Sequence, residues 1–166
     1  MAAETEWIKD CGFTSRDAYL AAERKGRGRA LTPARRAAVY DALEAYDEWK
    51  HANDCLDWTD IPLLALQACA PHSEFAGQYD AVLVDEAQDF APAWIKLLLR
   101  LVKPGGVLFL ADDPSQSIYR QFSWREKGVP VVGRTRWLRI PYRNTREIYE
   151  AAYEVIREDE VLMRQL

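Results

Sequence analysis

Residues 82–90 read Val-Leu-Val-Asp-Glu-Ala-Gln-Asp-Phe. An apolar run that stops abruptly at two adjacent acids predicts a buried strand opening onto a polar edge. Upstream, Tyr79 begins the apolar run, so the strand is expected over Tyr79–Val84. Downstream, residues 91–102 have helical character, and Gly105-Gly106 introduces a second strand over Val107–Ala111. That strand also ends in an acidic pair, Asp112-Asp113, followed by Ser115, Gln116 and Ser117. In parallel α/β sheets, ligands bind beyond the carboxyl ends of the strands. Two neighbouring strand ends rich in carboxylate and amide suit hydrated Mg²⁺ and phosphate. There an aspartate can hold the ion through its water shell while a glutamate takes a proton from an attacking water. Taken singly, each acidic pair reads first as a helix cap or a soluble turn.

Further along, Arg136–Ile140 alternates and is expected to be a third strand. Asn144 or Thr145 then caps a helix with Ile148, Ala152 and Val155 on one face. The order strand, helix, strand, strand, helix predicts an α/β sheet buried on both sides.

The first seventy residues read differently, as helices. Thr14 or Ser15 can cap a helix running to about Lys25, with Tyr19 and Leu20 on its apolar side. Thr32-Pro33 is a second helix start, since proline at the first helical position loses no useful N–H. Val39, Leu43, Tyr46 and Trp49 recur at helical spacing and predict one buried stripe. Another apolar helix is expected over Ile61–Ala70.

Composition bounds the class. The chain has 166 residues, 49% of them hydrophobic and 29% charged, which suits one domain, or one domain with an attached piece, and not a disordered tail. The net charge of −4 hides a basic stretch, since Arg16–Arg36 contains seven bases and only two acids, Asp17 and Glu23. Such a segment can sit on phosphate, with Arg27 and Arg29 as candidate contacts, or form a solvated surface. Cys11, Cys55 and Cys69 are irregularly spaced and favour a reducing, cytoplasmic compartment. His51 with Cys55 and Cys69 with His72 could be drawn as a zinc site, but no CxxC pair supports it. No apolar run reaches bilayer-spanning length.

Four segments in order carry a family resemblance. Val-Leu-Val-Asp-Glu-Ala-Gln-Asp-Phe resembles the Walker B segment of superfamily 1 DNA helicases of the UvrD/Rep/PcrA type, where an apolar strand precedes Asp-Glu-x-Gln-Asp. Residues 108–120, Leu-Phe-Leu-Ala-Asp-Asp-Pro-Ser-Gln-Ser-Ile-Tyr-Arg, resemble the next motif, Gly-Asp-x-x-Gln-Ser-Ile-Tyr. Residues 137–148, from Trp137 to Ile148, resemble the one after, Leu-x-x-Asn-Tyr-Arg-Ser/Thr. Upstream, Leu56-Asp57-Trp58-Thr59-Asp60-Ile61 is similar to the segment Asp-Phe-x-Asp-Leu, where the family's chain returns from a helical insertion.

The resemblance implies a partial RecA-like P-loop NTPase core with parallel strands, preceded by a helical insertion subdomain. Residues 1–70 would be the basic, DNA-facing insertion, 71–134 the later half of the first motor domain, and 135–166 the start of the second. Asp85 would hold Mg²⁺, and Glu86 would polarise the water that attacks the γ-phosphate of ATP. Gln116 would sense that phosphate, Arg143 would reach it from the second motor domain, and Tyr142 would stack on adenine. Tyr119 would offer single-stranded or tailed duplex DNA a stacking platform.

The chain departs from the pattern at Asp112, where the family has glycine, and at Pro141, where it has asparagine. After Tyr119, Gln121-Phe122-Ser123-Trp124 replaces the usual aromatic and Arg-Gly-Ala. No Gly-Lys pair is present, so no phosphate-cradling Gly-x-x-x-x-Gly-Lys-Ser/Thr loop is legible, and Gly26–Thr32 lacks the lysine and a preceding strand. The expectation is an internal segment of a larger ATP-dependent helicase, itself inactive and partnered by the rest of that protein. A non-hydrolysing DNA-binding or regulatory module is the alternative. A metal-dependent nuclease using the four acids is weaker, because no lysine accompanies them at a nuclease-like spacing.

Overall fold

The computed structural model describes residues 2–24, 27, 30–113, 116, 122–138 and 142–157, the side chain of Ile156 apart. The chain divides into two compact units, residues 1–82 with 91–108, and residues 83–90 with 109–166. A helix following the first strand packs among the N-terminal helices and so belongs to the first unit.

In the first unit, helices α1 (Ala2–Asp10), α2 (Arg16–Ala21), α3 (Pro33–Ala52), α4 (Asp60–Ala68) and α5 (Pro92–Leu101) form the core. Helix α1 contacts α3 and α5, α2 contacts α3, and α4 contacts α5. The expected caps are present locally: Ser15 Oγ accepts from the Ala18 N–H at 3.2 Å, and Thr32 Oγ1 from the Arg35 N–H at 3.3 Å. Trp7, Phe13, Tyr19 and Tyr40 make an aromatic cluster with centroid spacings between 5.3 and 6.4 Å. Glu4 is buried beside it, accepting from Tyr19 Oη at 3.1 Å and from Arg24 Nε at 2.8 Å.

The predicted α3 stripe is only partly right. Leu43 is buried, but Tyr46 and Trp49 are exposed and stack on each other at 6.2 Å. Lys50 is buried instead. Its ammonium and that of Lys9 share the carboxylates of Asp47, Asp57 and Asp60; Lys9–Asp60 is 2.6 Å, Lys9–Asp57 3.0 Å and Lys50–Asp57 3.1 Å. Asp57 and Asp60 also cap reciprocally: Asp57 Oδ1 accepts from the Asp60 N–H at 3.1 Å and Asp60 Oδ2 from the Asp57 N–H at 2.9 Å. Carboxylates arriving from the start of α4 therefore draw a lysine, not an aromatic ring, into the interior.

Strands β1 (Tyr79–Val84) and β2 (Val102–Leu110) flank α5 in sequence and pair with one another. Gly106 lies against Asp80, and Ala111 N–H donates to Val84 O at 2.8 Å, so positions advance together and the pair is parallel. Gly106 has no room for a side chain, since a Cβ there would stand 2.7 Å from Asp80 O. The result is an α/β fold.

Burial of the strands on both sides is corrected by the structure. Val84 is buried and Val82, Leu108 and Leu110 are partly covered, whereas Leu83, Val107 and Phe109 are exposed. Alternate strand residues point to opposite faces, so one face is covered and the other open. The expected third strand is also absent where it is described: residues 136–138 are outside any strand, and Arg139 and Ile140 lie outside the described residues. The C-terminal helix α6 (Arg146–Ile156) begins where expected, with Thr145 Oγ1 accepting from the Ile148 N–H at 3.5 Å, but Ile148 and Val155 are exposed. Among the described residues, no helix is long and apolar enough to cross a membrane.

Candidate active site

Both acidic strand ends lie in the second unit. Val84 O accepts from the Ala111 N–H, and Ala111 O accepts from the Ala87 N–H at 2.9 Å, so the segments leaving β1 and β2 are fastened side by side. Glu86 follows with φ 52° and ψ 41°, in the left-handed region. A residue with a Cβ is disfavoured there by about 1–2 kcal/mol. The Asp85 carboxylate accepts the Glu86 N–H at 3.1 Å. A single 3-10 turn, Ala87–Asp89, comes next.

Gln88 joins the two strand ends. Its Nε2 donates to Glu86 Oε2 at 2.7 Å, and its Oε1 accepts the Asp113 backbone N–H at 3.1 Å. Gln116 Nε2 then donates to Asp113 Oδ2 at 2.7 Å. A continuous hydrogen-bonded chain thus runs Glu86–Gln88–Asp113–Gln116, uniting the glutamate and glutamine expected at the site. Gln88 is buried, whereas Asp85, Glu86, Asp112 and Gln116 are exposed.

The turn at 124–128 braces this arrangement. Lys127, 1% exposed, donates to Ala87 O at 2.7 Å and to Gln88 O at 3.0 Å. Its ammonium also lies 4.5 Å from the Trp124 ring centroid, and Trp124 Nε1 donates to Asp112 Oδ2 at 3.2 Å. Burial pushes the Lys127 ammonium down to about 8, against the opposite pull of Asp112 and Asp89. Ser123 caps the turn, its N–H and Oγ reaching Glu126 Oε2 at 2.8 and 2.7 Å.

Among the described residues, no group of three or more His, Cys, Asp or Glu side chains is placed to hold a metal ion, and the three cysteines are free thiols. The donor set at the strand ends is sparse, exposed and all oxygen. That fits a Mg²⁺ ion held by one or two carboxylates and shared with phosphates better than a closed protein cage.

The remaining expected site residues are placed less centrally. Tyr142 and Arg143 are exposed, just before α6. Tyr119 and Arg29 lie outside the described residues. Arg27 is turned inward: its Nη2 donates to Ala3 O at 2.9 Å and to Glu4 Oε2 at 2.6 Å, with the guanidinium 5.2 Å from the Trp7 ring. Its side chain is 13% exposed, so it is not presented to a phosphate surface as the basic stretch suggested. Sequence reasoning missed Lys127, Trp124 and the role of Gln88. Gln88 stood inside the quoted motif, but nothing in the spacing of Trp124 and Lys127 marked them.

These features define an α/β segment with an acid- and amide-lined edge beyond two parallel strands. The UvrD/REP helicase N-terminal domain matches residues 13–128, and the chain belongs to that family. It is similar to the ATP-dependent DNA helicase UvrD2 of Mycobacterium bovis and of Mycobacterium tuberculosis, at 28% identity over 170 residues in each case. Those matches cover 94% of this chain and 24% of the relatives, so the chain spans about a quarter of their length. It is also 31% identical over 93 residues to an ATP-dependent helicase/nuclease protein of Staphylococcus haemolyticus, covering 49% of this chain and 8% of that protein. No solved structure matches.

Proposed function

We propose that this chain is part of an ATP-dependent DNA helicase or translocase and supplies the catalytic edge of a RecA-like motor domain. The observation that carries the reading is the Glu86–Gln88–Asp113–Gln116 chain, which ties a candidate base to a candidate phosphate sensor across two strand ends. Asp85 would hold Mg²⁺, which when bound offsets charge on the β- and γ-phosphates. Glu86 accepts the proton of the attacking water, its carboxylate oriented by the Gln88 amide. Gln116 offers an exposed amide beside the same edge, and its link to Asp113 carries any movement there back to Gln88. Arg143 supplies a guanidinium that suits charge developing on the transferred phosphoryl group. Tyr142 stacks on adenine, while Tyr119 and Arg29 serve the single-stranded DNA side.

Replacing Glu86 by glutamine in the full-length helicase tests the reading. The amide keeps the shape but accepts no proton from water, so turnover should fall by on the order of 10²–10⁴ while nucleotide still binds. Hydrolysis within a few-fold of the parent rate would overturn it.

One observation favours a non-hydrolysing DNA-binding module. Asp112, standing where the family has glycine, adds a carboxylate beside the proposed phosphate edge. An inactive but DNA-binding full-length protein, unaltered by Glu86→Gln, would select that reading.

A further inference from the structure

We propose that Lys127 is a positioning residue for Glu86, acting through the 87–89 turn and the side chain of Gln88. The inference rests on the ATPase reading above and names a residue outside the motifs that led to it.

A lysine is seldom fully buried, because taking an ammonium from water is costly unless its N–H groups find acceptors. Lys127 finds two, the carbonyls of Ala87 and Gln88. Those carbonyls belong to the short turn that follows the left-handed Glu86. Within the turn, the Asp89 N–H donates to Glu86 O at 3.1 Å and the Phe90 N–H to Ala87 O at 3.3 Å. One 3-10 turn of this kind has little stability of its own. The ammonium fixes the peptide planes at 87 and 88, and so fixes where the Gln88 side chain starts. Gln88 in turn holds Glu86 at 2.7 Å and the Asp113 N–H at 3.1 Å.

Trp124 extends the brace to the second strand end. Its ring lies beside the ammonium, and its indole N–H reaches Asp112. One turn therefore grips both post-strand segments, through Lys127 on the β1 side and Trp124 on the β2 side. Glu86 is exposed, and the Gln88 amide is the side-chain donor its carboxylate meets among the described residues, so its alignment depends on Gln88. Misplacing a catalytic group by about 1 Å can cost on the order of 10²-fold in rate.

The test is a double-mutant cycle in the full-length helicase, with kcat and KM for ATP measured at saturating single-stranded DNA. Lys127→Met keeps length and packing against Trp124 but donates nothing, and Gln88→Ala removes the link to Glu86. Each should lower kcat by about 10- to 100-fold while moving KM by no more than about threefold. Because both act through one path, the double variant should be no slower than the worse single variant. In the 166-residue chain itself, Lys127→Met should speed amide exchange at Asp89 and Phe90 while leaving the α3 amides protected, which global destabilisation would not do. A Lys127→Met enzyme with parental kcat, or single losses that multiply in the double variant, would overturn the inference. If Lys127→Met does not fold, Gln88→Ala decides alone, and an unchanged kcat sinks the proposal. Glu86→Gln, run in parallel, separates the failures. If it retains turnover the ATPase reading has failed, whereas if it is inactive and Lys127→Met is not, only the role of Lys127 has.

Discussion

Arg27 donates to Glu4 Oε2 at 2.6 Å with its guanidinium 5.2 Å from the Trp7 ring, which places a base from the most cationic stretch of the chain inside a helical core. The same carboxylate receives Arg24, so Glu4 organises the connection after α2.

Arg27 and Arg29 should consequently separate in their effects. Arg27→Ala should lower stability by about 1.5–3 kcal/mol, the usual worth of hydrogen bonds to a charged partner, and leave the salt dependence of DNA binding unchanged. Arg29→Ala should reduce the slope of log K against log salt by about one, as expected when one phosphate is no longer neutralised. Thermal melts and anisotropy titrations over a salt series read the two effects independently. A flattened slope in Arg27→Ala would mean that the Glu4 pair opens on DNA.

Tyr119→Ala in the full-length protein should weaken single-stranded DNA binding by about 1–3 kcal/mol, the worth of one base–aromatic stack. ATP affinity without DNA should stay the same. Titration of a labelled oligonucleotide that gives equal affinities would return Tyr119 to a packing role.

Acid should weaken the first unit through its charge clusters. Burial alone would raise the Asp57 carboxyl, but the Thr59 hydrogen bonds and the Lys9 and Lys50 ammoniums outweigh it and hold it well below the ordinary 3.8. Asp60, also raised by burial, is lowered on balance by Lys50, Lys9 and the Asp57 N–H, and Glu4, despite burial, is brought down to about 2 by Arg24 and Arg27. Depressed carboxylates contribute stability that is complete above their unfolded values and disappears as pH falls through the folded ones. Stability should therefore be level above pH 4.5 and decline steadily from there toward about 2. Asp57→Asn should lower stability at neutral pH and shallow that decline. Urea titrations at stepped pH check both, and an unchanged acid limb in Asp57→Asn would contradict the network.

Removing one member of the cluster should be costly at neutral pH. Lys50→Met leaves Asp47, Asp57 and Asp60 to Lys9 alone, and breaking a buried pair typically costs about 3–5 kcal/mol. The partly exposed Asp47 and Asp57 place the expected loss near the lower figure. A loss below about 1 kcal/mol in a denaturant midpoint would show that water already screens the pair.

The 166-residue chain alone should not hydrolyse ATP. Carboxylates repel a polyanion unless a phosphate-cradling loop and a lysine hold it, and no Gly-Lys pair is present. Phosphate-release assays with Mg-ATP, with and without single-stranded DNA, should read background. DNA-stimulated turnover abolished by Glu86→Gln would reveal a phosphate loop of another kind within these residues.

Features that depend on near neighbours can be read from residue order alone. The caps at Ser15, Thr32 and Thr145 each reach an amide three residues on, and the β1 boundary falls where apolar residues meet Asp85. The acidic strand ends were legible for the same reason, since residue type and order carry them. Which charges turn inward depends instead on contacts between distant segments. Lys127 meets Ala87 across 40 positions, and Gln88 meets Asp113 across 25. Tyr46 and Lys50, four apart on one face of α3, show why spacing fails here. Periodicity favours burying the tyrosine, yet the tyrosine is exposed and the lysine is buried. A helix face records which residues point the same way, but an ammonium is drawn inside only where carboxylates from another element arrive to replace its water.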